Sequence, residues 1–522
     1  MPCRTVRFST LVVLSLIILI AVPFSASAVL TALEQSNYQQ LTSSVEILDF
    51  MEKIARSNAA AETVTLAQSA LGHPLVALLI SSEIHEFMSA KRASDKLTVM
   101  LIGSQHGNEP SGAEALMIVS REILEGKLRF HLNNLNFIII PNSNPDGRSM
   151  KRRVNGNSVN LSTNFTVLSE PESRAIMDAL HRWQPEVVLD VHESAVYKKK
   201  TLARQGYLID FETQFEAANN TNVDQRIRDL SFHHILPDLL NRLKAQGLPA
   251  QRYIGEITTI HQPITHGGLS LRNLRNMAGV LGCFGFLVEN RLDPSFGSYP
   301  TPGNIKERVK KQCLSIEAFL QSCHDYRRQI ISISQQARLG WKHPRNAATL
   351  YLSVAYTTDP DRPLISLPLR RLDTGEPIQH TFNYYGMVQS RSPLILPRAY
   401  VIRAYQKLFA ELLDQHHIAY STPDSSIPAS GEMRPVELPP AAAVCGDSGG
   451  TVLTETEDSP TYSYQAGDLL VSLDQPARKL IPLLLEPRSS SSIFNAPEYC
   501  RLLLNIGNFL ILKTQVFSSI EN

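Results

Sequence analysis

Cysteine is scarce in this chain, and neither sign of charge predominates. Six cysteines occur in 522 residues, without a CxxC pair or a cysteine–histidine cluster, which excludes the usual thiolate metal sites. Fifty basic residues oppose 49 acidic ones, so the formal net charge is +1. Nucleic-acid-binding proteins carry clustered basic residues instead. The run KKK at 198–200 is interpreted as a solvated loop, and no nucleic-acid partner is expected.

Long apolar runs are missing as well, except at the amino terminus. Two arginines come before an apolar run at 11–22, and the small residues Ala-Ser-Ala follow at 26–28. This run is shorter than the roughly 20 residues that a bilayer span needs. Residues 1–28 are therefore predicted to be a cleavable signal peptide, which makes the mature protein periplasmic or secreted. An uncleaved membrane anchor is the alternative.

The remaining composition is that of a packed protein. Hydrophobic residues make up 43% of the chain and charged residues 19%, which argues against extended low-complexity disorder. The length exceeds one ordinary core, so two folded units are expected. Five cysteines follow residue 28, an odd number that cannot all pair, and mostly free, buried thiols are expected.

Between residues 29 and 338, apolar runs alternate with amphipathic segments, which is typical of an α/β domain. Five runs are predicted to be strands: PLVALLISS (74–82), KLTVMLIGS (96–104), LNFIIIPN (135–142), EVVLDVHES (186–194) and GCFGFLVEN (282–290). We expect a mostly parallel mixed sheet flanked by helices and followed by a long amphipathic helix from about residue 303. Such sheets hold their sites at the carboxyl ends of the strands.

Residues 339–522 are predicted to form a second, smaller domain of α+β or β-rich type. The short runs YLSVAYTT, PLISLPLRRL and HTFNYYGMV favour strands, and YVIRAYQKLFAELLDQHHI favours a helix. The stretch 421–463 is rich in proline, serine and alanine and is predicted to be an exposed, flexible loop. No motif in this part has a chemistry that can be argued from the sequence.

Three metal-ligating residue types stand at strand ends. His106 and Glu109 lie in the turn GSQHGNEPSG, and His192 lies in DVHES. A catalytic zinc ion needs three protein ligands and leaves a fourth position to water. An HxxE pair alone also suits a surface turn, but a third ligand at a neighbouring strand end favours a metal site. One Zn²⁺ per chain is predicted.

An ordered set of motifs surrounds these residues: HGNEP (106–110), NPDG (144–147), RVN (153–155), SVNLSTNF (158–165), DVHE (190–193) and FLVENR (286–291). With these motifs, the segment from about residue 35 to about residue 335 resembles the zinc carboxypeptidases, or funnelins. The resemblance implies a zinc-dependent peptidase whose ligands are His106, Glu109 and His192.

The resemblance also implies two catalytic residues. Glu289 matches the carboxylate that takes a proton from the attacking water and passes it to the leaving amine; a strand-end carboxylate paired with Arg291 is the alternative. Arg153 matches the arginine that supplies positive charge where the oxyanion develops. Because Lys151 and Arg152 precede it, the match to the family arginine is ambiguous by one residue, and the Arg-x-Asn spacing favours Arg153.

One motif departs from the family. Where the family has Asp-Leu-Asn-Arg-Asn-Phe, this chain has NLSTNF, with Ser162 and Thr163 at the positions of the Asn-Arg pair. A guanidinium binds a terminal carboxylate through two parallel hydrogen bonds that a threonine hydroxyl cannot reproduce. Whether a free C-terminus is recognised is therefore an open question.

The stretch GGLSLRNLRNMAG (267–279) contains arginine and asparagine residues that are candidates to bind the substrate carboxylate in place of the missing Asn-Arg pair. Solvated charges on a loop are the alternative interpretation. No tyrosine occurs between Tyr253 and Glu289, so the family's substrate-capping tyrosine has no assigned counterpart. The predicted substrate-binding residues are Asn155, Ser162, Thr163, Arg272, Arg275 and Asn276.

Two further motifs carry weaker signals. The stretch CGDSGG (445–450) resembles the nucleophile motif of trypsin-type proteases, but no Ala-Ala-His-Cys signature precedes it, and a turn is predicted instead. The histidine pairs at 233–234 and 416–417 point about 100° apart on a helix, which suits one packed and one solvated side chain rather than a metal site.

Three functions fit the sequence. The first is an exported zinc metallopeptidase of carboxypeptidase type that cleaves a peptide bond near a chain end. The second is an amidohydrolase acting on small or cell-wall-derived amides on the same scaffold, and the third is a zinc-retaining binding protein without turnover. The intact Glu289 argues against the third. The expected partner is a peptide or amide substrate, and no stable membrane span is expected in the mature chain.

Overall fold

The computed structural model describes residues 29–90, 95–198, 200–292, 304–340, 349–422, 433–438, 464–506 and 510–514. The predicted signal peptide, the CGDSGG stretch and most of the predicted loop at 421–463 lie outside these residues.

The described residues form strands in both halves of the chain. They are β1 (Ala61–Gln68), β2 (Pro74–Ile80), β3 (Leu97–Gly103), β4 (Leu135–Ile140), β5 (Val187–Ser194), β6 (Tyr207–Ile209), β7 (Thr213–Ala217), β8 (Ala250–Arg252), β9 (Phe284–Arg291), β10 (Leu350–Thr357), β11 (Leu364–Arg371), β12 (Pro377–Asn383), β13 (Met387–Leu394), β14 (Ala399–Ile402), β15 (Met433–Pro435), β16 (Leu469–Ser472) and β17 (Ile511–Thr514).

Helices separate most of these strands. They are α1 (Ala32–Gln35), α2 (Ser44–Arg56), α3 (Ile84–Met88), α4 (Ser111–Leu124), α5 (Pro145–Met150), α6 (Pro171–Trp183), α7 (Gln225–Leu230), α8 (Leu236–Ala245), α9 (Leu274–Val280), α10 (Ile305–Leu339), α11 (Gln406–Gln415), α12 (Leu480–Leu485) and α13 (Pro497–Ile506). Within the described ranges, no helix combines the length and the apolar character needed to cross a membrane.

The main sheet has eight strands in the order β1-β2-β4-β3-β5-β9-β7-β8. Its four central strands, β4, β3, β5 and β9, run parallel, while β1, β2 and the β7–β9 pair contribute antiparallel neighbours. The prediction of a mostly parallel mixed sheet flanked by helices is confirmed, and all five predicted runs contribute a strand to it. Strand β1 and the short strands β7 and β8 of this sheet were not predicted.

Alternating side chains of the central strands face two apolar layers, as the period of two in a strand requires. In β3, Val99 and Leu101 belong to one cluster, and Met100 and Ile102 belong to the other. Helices α2, α4, α8 and α10 supply the first cluster, whereas α6, α9, α11 and α12 supply the second. Both faces of the sheet are covered, so its polar groups can reach solvent only at the strand ends.

Residues beyond 338 form further strands and pack directly against the first part of the chain. Strand β11 pairs with β12 on one side and with β6 of the first part on the other. Buried side chains of α11 and α12 share the second apolar cluster with the main sheet. The β-rich character is confirmed, while the domain boundary after residue 338 stays a prediction. The segment predicted as a helix from residue 400 begins with strand β14, and α11 starts only at Gln406.

The cysteines agree only in part with the expectation of free thiols. Cys313 and Cys323 are free and lie on the unbroken helix α10, where ten residues of helix hold them about 15 Å apart. Cys500 takes part in a disulfide.

Candidate metal centre and active site

A tight turn after β3 carries the first two candidate ligands. Ser104 adopts a left-handed backbone conformation (φ 57°), which redirects the chain as it leaves the sheet. A Cβ atom on Gly107 would lie 1.9 Å from the carbonyl carbon of Gly147. A residue without a side chain is therefore required between His106 and Glu109, and α4 begins directly afterwards, at Ser111.

The structure brings His106, Glu109 and His192 together, and all three are buried. The two Nδ1 atoms of the histidines are 3.1 Å apart. Glu109 places Oε1 2.9 Å from His106 Nδ1 and Oε2 3.0 Å from His192 Nδ1. Two imidazole nitrogens and a carboxylate that converge in this way form the donor set of a catalytic zinc site. These three residues therefore fit a zinc ion. Among the described residues, no other group of three or more His, Cys, Asp or Glu side chains could hold a metal ion.

The far side of each imidazole is held by a polar partner. His192 Nε2 lies 2.9 Å from Asp190 Oδ1. His106 Nε2 lies 2.9 Å from Ser162 Oγ and 3.0 Å from Asn160 Oδ1. Partners of this kind fix the ring orientation and the tautomer, so that the Nδ1 atom stays available to a metal. Ser162 therefore contacts a candidate ligand.

The three candidate ligands shift one another's pKa. Burial raises the pKa of Glu109, but the two facing imidazoles outweigh it and hold that pKa well below its usual range. Burial lowers the pKa of His192, but Asp190 and Glu109 raise it well above its ordinary value. For His106, burial dominates and the pKa is lowered. The carboxylate of Glu109 is thus anionic, as metal binding requires.

Glu289 lies on β9 directly beside His192, since the two residues are paired in the register of β5 and β9. Its Oε2 atom is buried and has no hydrogen-bond partner among the described residues. Burial, reinforced by the charge of Glu109, raises the pKa of Glu289 to about 8. A buried carboxyl oxygen without a partner can exchange protons with a molecule in the cavity.

Arg153 is the member of the basic triplet that reaches the site. Its Nη1 atom donates a hydrogen bond to Glu109 Oε1 at 3.1 Å, and 54% of its side chain is exposed. Arg153 lines the adjacent cavity, whereas Lys151 and Arg152 are not among its lining residues. A cation in this position faces both the metal ligands and an incoming substrate.

A cavity opens from the candidate ligands, with an empty volume of about 640 Å³ that includes open solvent. Glu109, Glu289 and Arg153 lie at its reactive end. Apolar side chains and the ion pair between Lys198 and Glu256 complete the wall; the apolar residues are Val196, Leu202, Ile209 and Ile257. The cavity is thus apolar in part and carries charges of both signs.

Tyr253 also lines this cavity, and sequence reasoning had left it without a role. Burial and the charge of Glu289 raise the pKa of its phenol. The family tyrosine was sought closer to Glu289 in the sequence, and the spacing along the chain does not show that Tyr253 and Glu289 line the same cavity.

None of the six predicted substrate-binding residues is among the described residues that line the cavity. Asn155 is buried and donates to Glu170 and Glu172. Thr163 bonds the backbone of its own turn through Oγ1 and accepts a hydrogen bond from Arg272 through its carbonyl oxygen. Their role in substrate binding stays a prediction.

Arg275 and Asn276 lie on α9 and are also buried. Arg275 Nη2 donates to Gly268 O and Asn219 Oδ1. Asn276 Nδ2 donates to Asn219 Oδ1 and Gly268 O. These contacts occupy groups that a substrate carboxylate would need. Carboxylate binding by these two residues stays a prediction.

Helix α10 supports the metal centre through contacts that no motif indicated. Arg308 binds Glu193 through two hydrogen bonds of 2.7 and 2.9 Å, and Gln312 donates to His192 O at 2.8 Å. The backbone N–H of Glu193 in turn donates to Glu109 Oε2 at 3.1 Å. The helix thereby fixes the strand end that presents His192.

The two histidine pairs lie away from this centre. His233 and His234 are both exposed, so the expectation of one packed side chain was wrong there, because both point outward from the segment between α7 and α8. His416 is buried and hydrogen-bonds Thr166 O through Nε2, while His417 is partly exposed beside Asp178. The expectation of one packed and one solvated side chain is confirmed for the second pair.

Comparison with known proteins matches residues 47–166 to a family model described as zinc carboxypeptidase. Carboxypeptidase 2 of Trichophyton rubrum is 26% identical over 249 residues, which cover 46% of this chain and 45% of that relative. Carboxypeptidase 2 of Trichophyton equinum is 24% identical over 267 residues, covering 50% and 48%. The matches thus span about half the length of these curated relatives.

Two solved structures also align with part of the chain. A metallo-carboxypeptidase from Burkholderia cenocepacia aligns with a TM-score of 0.41 at 16% identity, covering 55% of this chain and 70% of that one. Carboxypeptidase A from Helicoverpa armigera aligns with a TM-score of 0.41 at 17% identity, covering 54% and 73%.

Proposed function

We propose that the chain is a member of the zinc carboxypeptidase family, whose model matches residues 47–166, and that it is an exported zinc metallopeptidase that cleaves a peptide bond near a chain end. The observation that carries the proposal is the convergence of His106, Glu109 and His192 beside the unpartnered carboxyl oxygen of Glu289. The cavity that opens from this group gives a peptide end room to enter.

His106, Glu109 and His192 would hold one Zn²⁺. When bound, zinc polarises a water and a carbonyl oxygen, which lowers the barrier to hydrolysis. Glu289 takes a proton from the attacking water through its free oxygen and passes it to the leaving nitrogen. Arg153 donates hydrogen bonds to the carbonyl oxygen as negative charge develops there. The apolar wall excludes water from the side chain that enters the cavity.

Export is part of the proposal. The predicted signal peptide supports it, and so does the disulfide at Cys500, since disulfides persist mainly in oxidising compartments. The segment beyond residue 338 is proposed as a second domain of the same enzyme.

The test replaces Glu289 with Gln, which keeps the shape but removes the proton carrier. We expect kcat on a peptide substrate to fall by about 10²- to 10⁴-fold, the usual contribution of general acid–base catalysis, while metal analysis still finds one zinc per chain. Glu411→Gln makes the same change at an exposed residue of α11 that does not line the cavity and serves as the matched control, with kcat unchanged. Full activity of Glu289→Gln would refute the assigned role.

A second candidate function is favoured by a specific observation. Arg153 is the one arginine among the described residues that line the cavity, and it serves the reactive end, so no guanidinium is left for a terminal carboxylate. An amidohydrolase acting on uncharged amides needs none. Matched peptides with free and amidated C-termini distinguish the two functions, because a carboxypeptidase cleaves only the free form and an amidohydrolase cleaves both.

A further inference from the structure

The segment after β8 forms part of the cavity wall. Tyr253, Gly255, Glu256 and Ile257 all line the cavity. The segment is not part of the main sheet, which ends at Arg252. Its position beside Glu289 must therefore be set by other contacts.

Two contacts reach β7: Tyr253 N donates to Phe215 O at 2.8 Å, and Ile254 N donates to Gln214 Oε1 at 3.1 Å. A further contact reaches the part of the chain beyond residue 338. His266 Nδ1 lies 2.8 Å from the carbonyl oxygen of Tyr253, and His266 Nε2 lies 2.6 Å from the hydroxyl of Tyr384. A carbonyl oxygen only accepts, so Nδ1 carries the hydrogen and Nε2 accepts the hydroxyl proton of Tyr384. The result is a continuous chain of donors from Tyr384 through His266 to the backbone of Tyr253.

The chain of hydrogen bonds requires a neutral imidazole. His266 is 1% exposed, and burial together with the nearby Arg252 lowers its pKa to about 3. At neutral pH the ring therefore has one donor and one acceptor, which match the two partners observed.

Backbone contacts hold the same segment at its other end. Ile264 N donates to Asn383 O at 2.9 Å, and Tyr385 N donates to Ile264 O at 2.9 Å. The residues that follow β12 thus run along the loop that returns from the cavity wall.

Apolar packing joins the same two regions. Leu202, Ile209 and Ile257 line the cavity, and they share one buried cluster with Leu367 and Phe382 of the hairpin β11–β12. A shift of the hairpin would move three residues of the wall. The hairpin therefore supports the cavity from outside the first part of the chain.

We propose that Tyr384 is a positioning residue of the active site: through His266 it fixes the backbone of Tyr253, and with it the cavity wall beside Glu289. The expected effect on peptide-cleavage kinetics rests on the proposed peptidase function. The expected effect on the backbone of Tyr253 does not, because the chain of hydrogen bonds exists whether or not a peptide is the substrate.

Tyr384→Phe tests the proposal, since it removes only the hydroxyl. Tyr385→Phe is the matched control, the same change at the neighbouring residue, whose side chain is 37% exposed. Hydrogen–deuterium exchange is measured on the full-length protein. We expect the amides of residues 253–268 to exchange about fivefold faster in Tyr384→Phe, the effect of losing about one net hydrogen bond, and to be unchanged in Tyr385→Phe.

Steady-state kinetics provide a second measurement, which a general loss of stability would not change. In Tyr384→Phe we expect kcat/KM to fall about fivefold with zinc content and the other exchange rates unaltered. If Tyr384 acts through His266, a His266→Leu background abolishes most of this effect, so the double-mutant cycle is non-additive.

Equal exchange in Tyr384→Phe and Tyr385→Phe would overturn the positioning role, as would a fully additive cycle. If the wild-type protein cleaves no peptide, the proposed function fails, and the exchange measurement still decides whether Tyr384 holds the wall.

Discussion

His106 differs from His192 in the partner behind its ring. The Nε2 atom of His192 faces the carboxylate of Asp190, whereas that of His106 faces the neutral groups of Asn160 and Ser162. A carboxylate behind a metal-binding imidazole makes it a stronger ligand. The family motif has aspartate at the position of Asn160, so this chain has replaced a charged support with a neutral one.

We therefore expect Asn160→Asp to tighten zinc binding by about tenfold, the lower end of the effect of such supporting partners. Competition with a chromophoric chelator measures the dissociation constant. Thr163→Asp places the same charge three residues away, where no contact with His106 exists, and serves as the control. Equal tightening by both variants would assign the effect to charge at a distance rather than to the bond at Nε2.

At the scale of elements, α10 is the support that sequence reasoning did not reveal. Arg308 and Glu193 are 1% and 0% exposed and form a bidentate ion pair. Removing one partner of a buried pair leaves an uncompensated charge, which is far more costly than losing an exposed pair. The pair also lies beside the backbone that presents His192.

Arg308→Met is accordingly expected to lower the free energy of unfolding by about 3–5 kcal/mol, measured by urea denaturation. Arg56→Met breaks the exposed pair with Glu52, whose arginine is 76% exposed, and should cost less than about 1 kcal/mol. Adding Glu193→Gln to Arg308→Met should restore part of the loss. A loss as small as that of the exposed pair would show that Glu193 is not left buried and charged.

The sequence predicted the elements whose signal is local. Apolar runs marked the five strands, and a histidine and a glutamate directly after one strand marked the metal turn. The contacts that support the site have no local signal: Arg308 and Glu193 are 115 residues apart, and Tyr384 and His266 are 118 apart. Strands β6 and β8, of three residues each, are too short to show a period of two.

At the scale of the whole molecule, the two parts of the chain are joined by buried polar contacts as well as apolar ones. His416 at the end of α11 is 0% exposed and hydrogen-bonds the carbonyl oxygen of Thr166 in the first part through Nε2. Burial lowers its pKa from the ordinary 6.5 to about 4. The contact between the two parts thus depends on a histidine that stays neutral.

This depressed pKa makes the contact sensitive to acid. Between pH 6.5 and about 4 the unfolded chain protonates His416 while the folded chain does not, so falling pH favours unfolding. The contribution of His416 is fully present above pH 6.5 and is lost at up to about 1.4 kcal/mol per pH unit below it. Other groups titrate in the same range, and comparison with a variant isolates this one.

His416→Gln keeps a donor for Thr166 O but does not titrate. We expect the stability advantage of the wild type over this variant, measured by urea denaturation, to be largest near pH 7 and to shrink by about 3 kcal/mol towards pH 4. His261→Gln, the same change at an exposed histidine, is the matched control. A constant difference for His416→Gln would mean that this histidine has the same pKa in the folded and the unfolded protein, so that its protonation would not weaken the junction between the two parts.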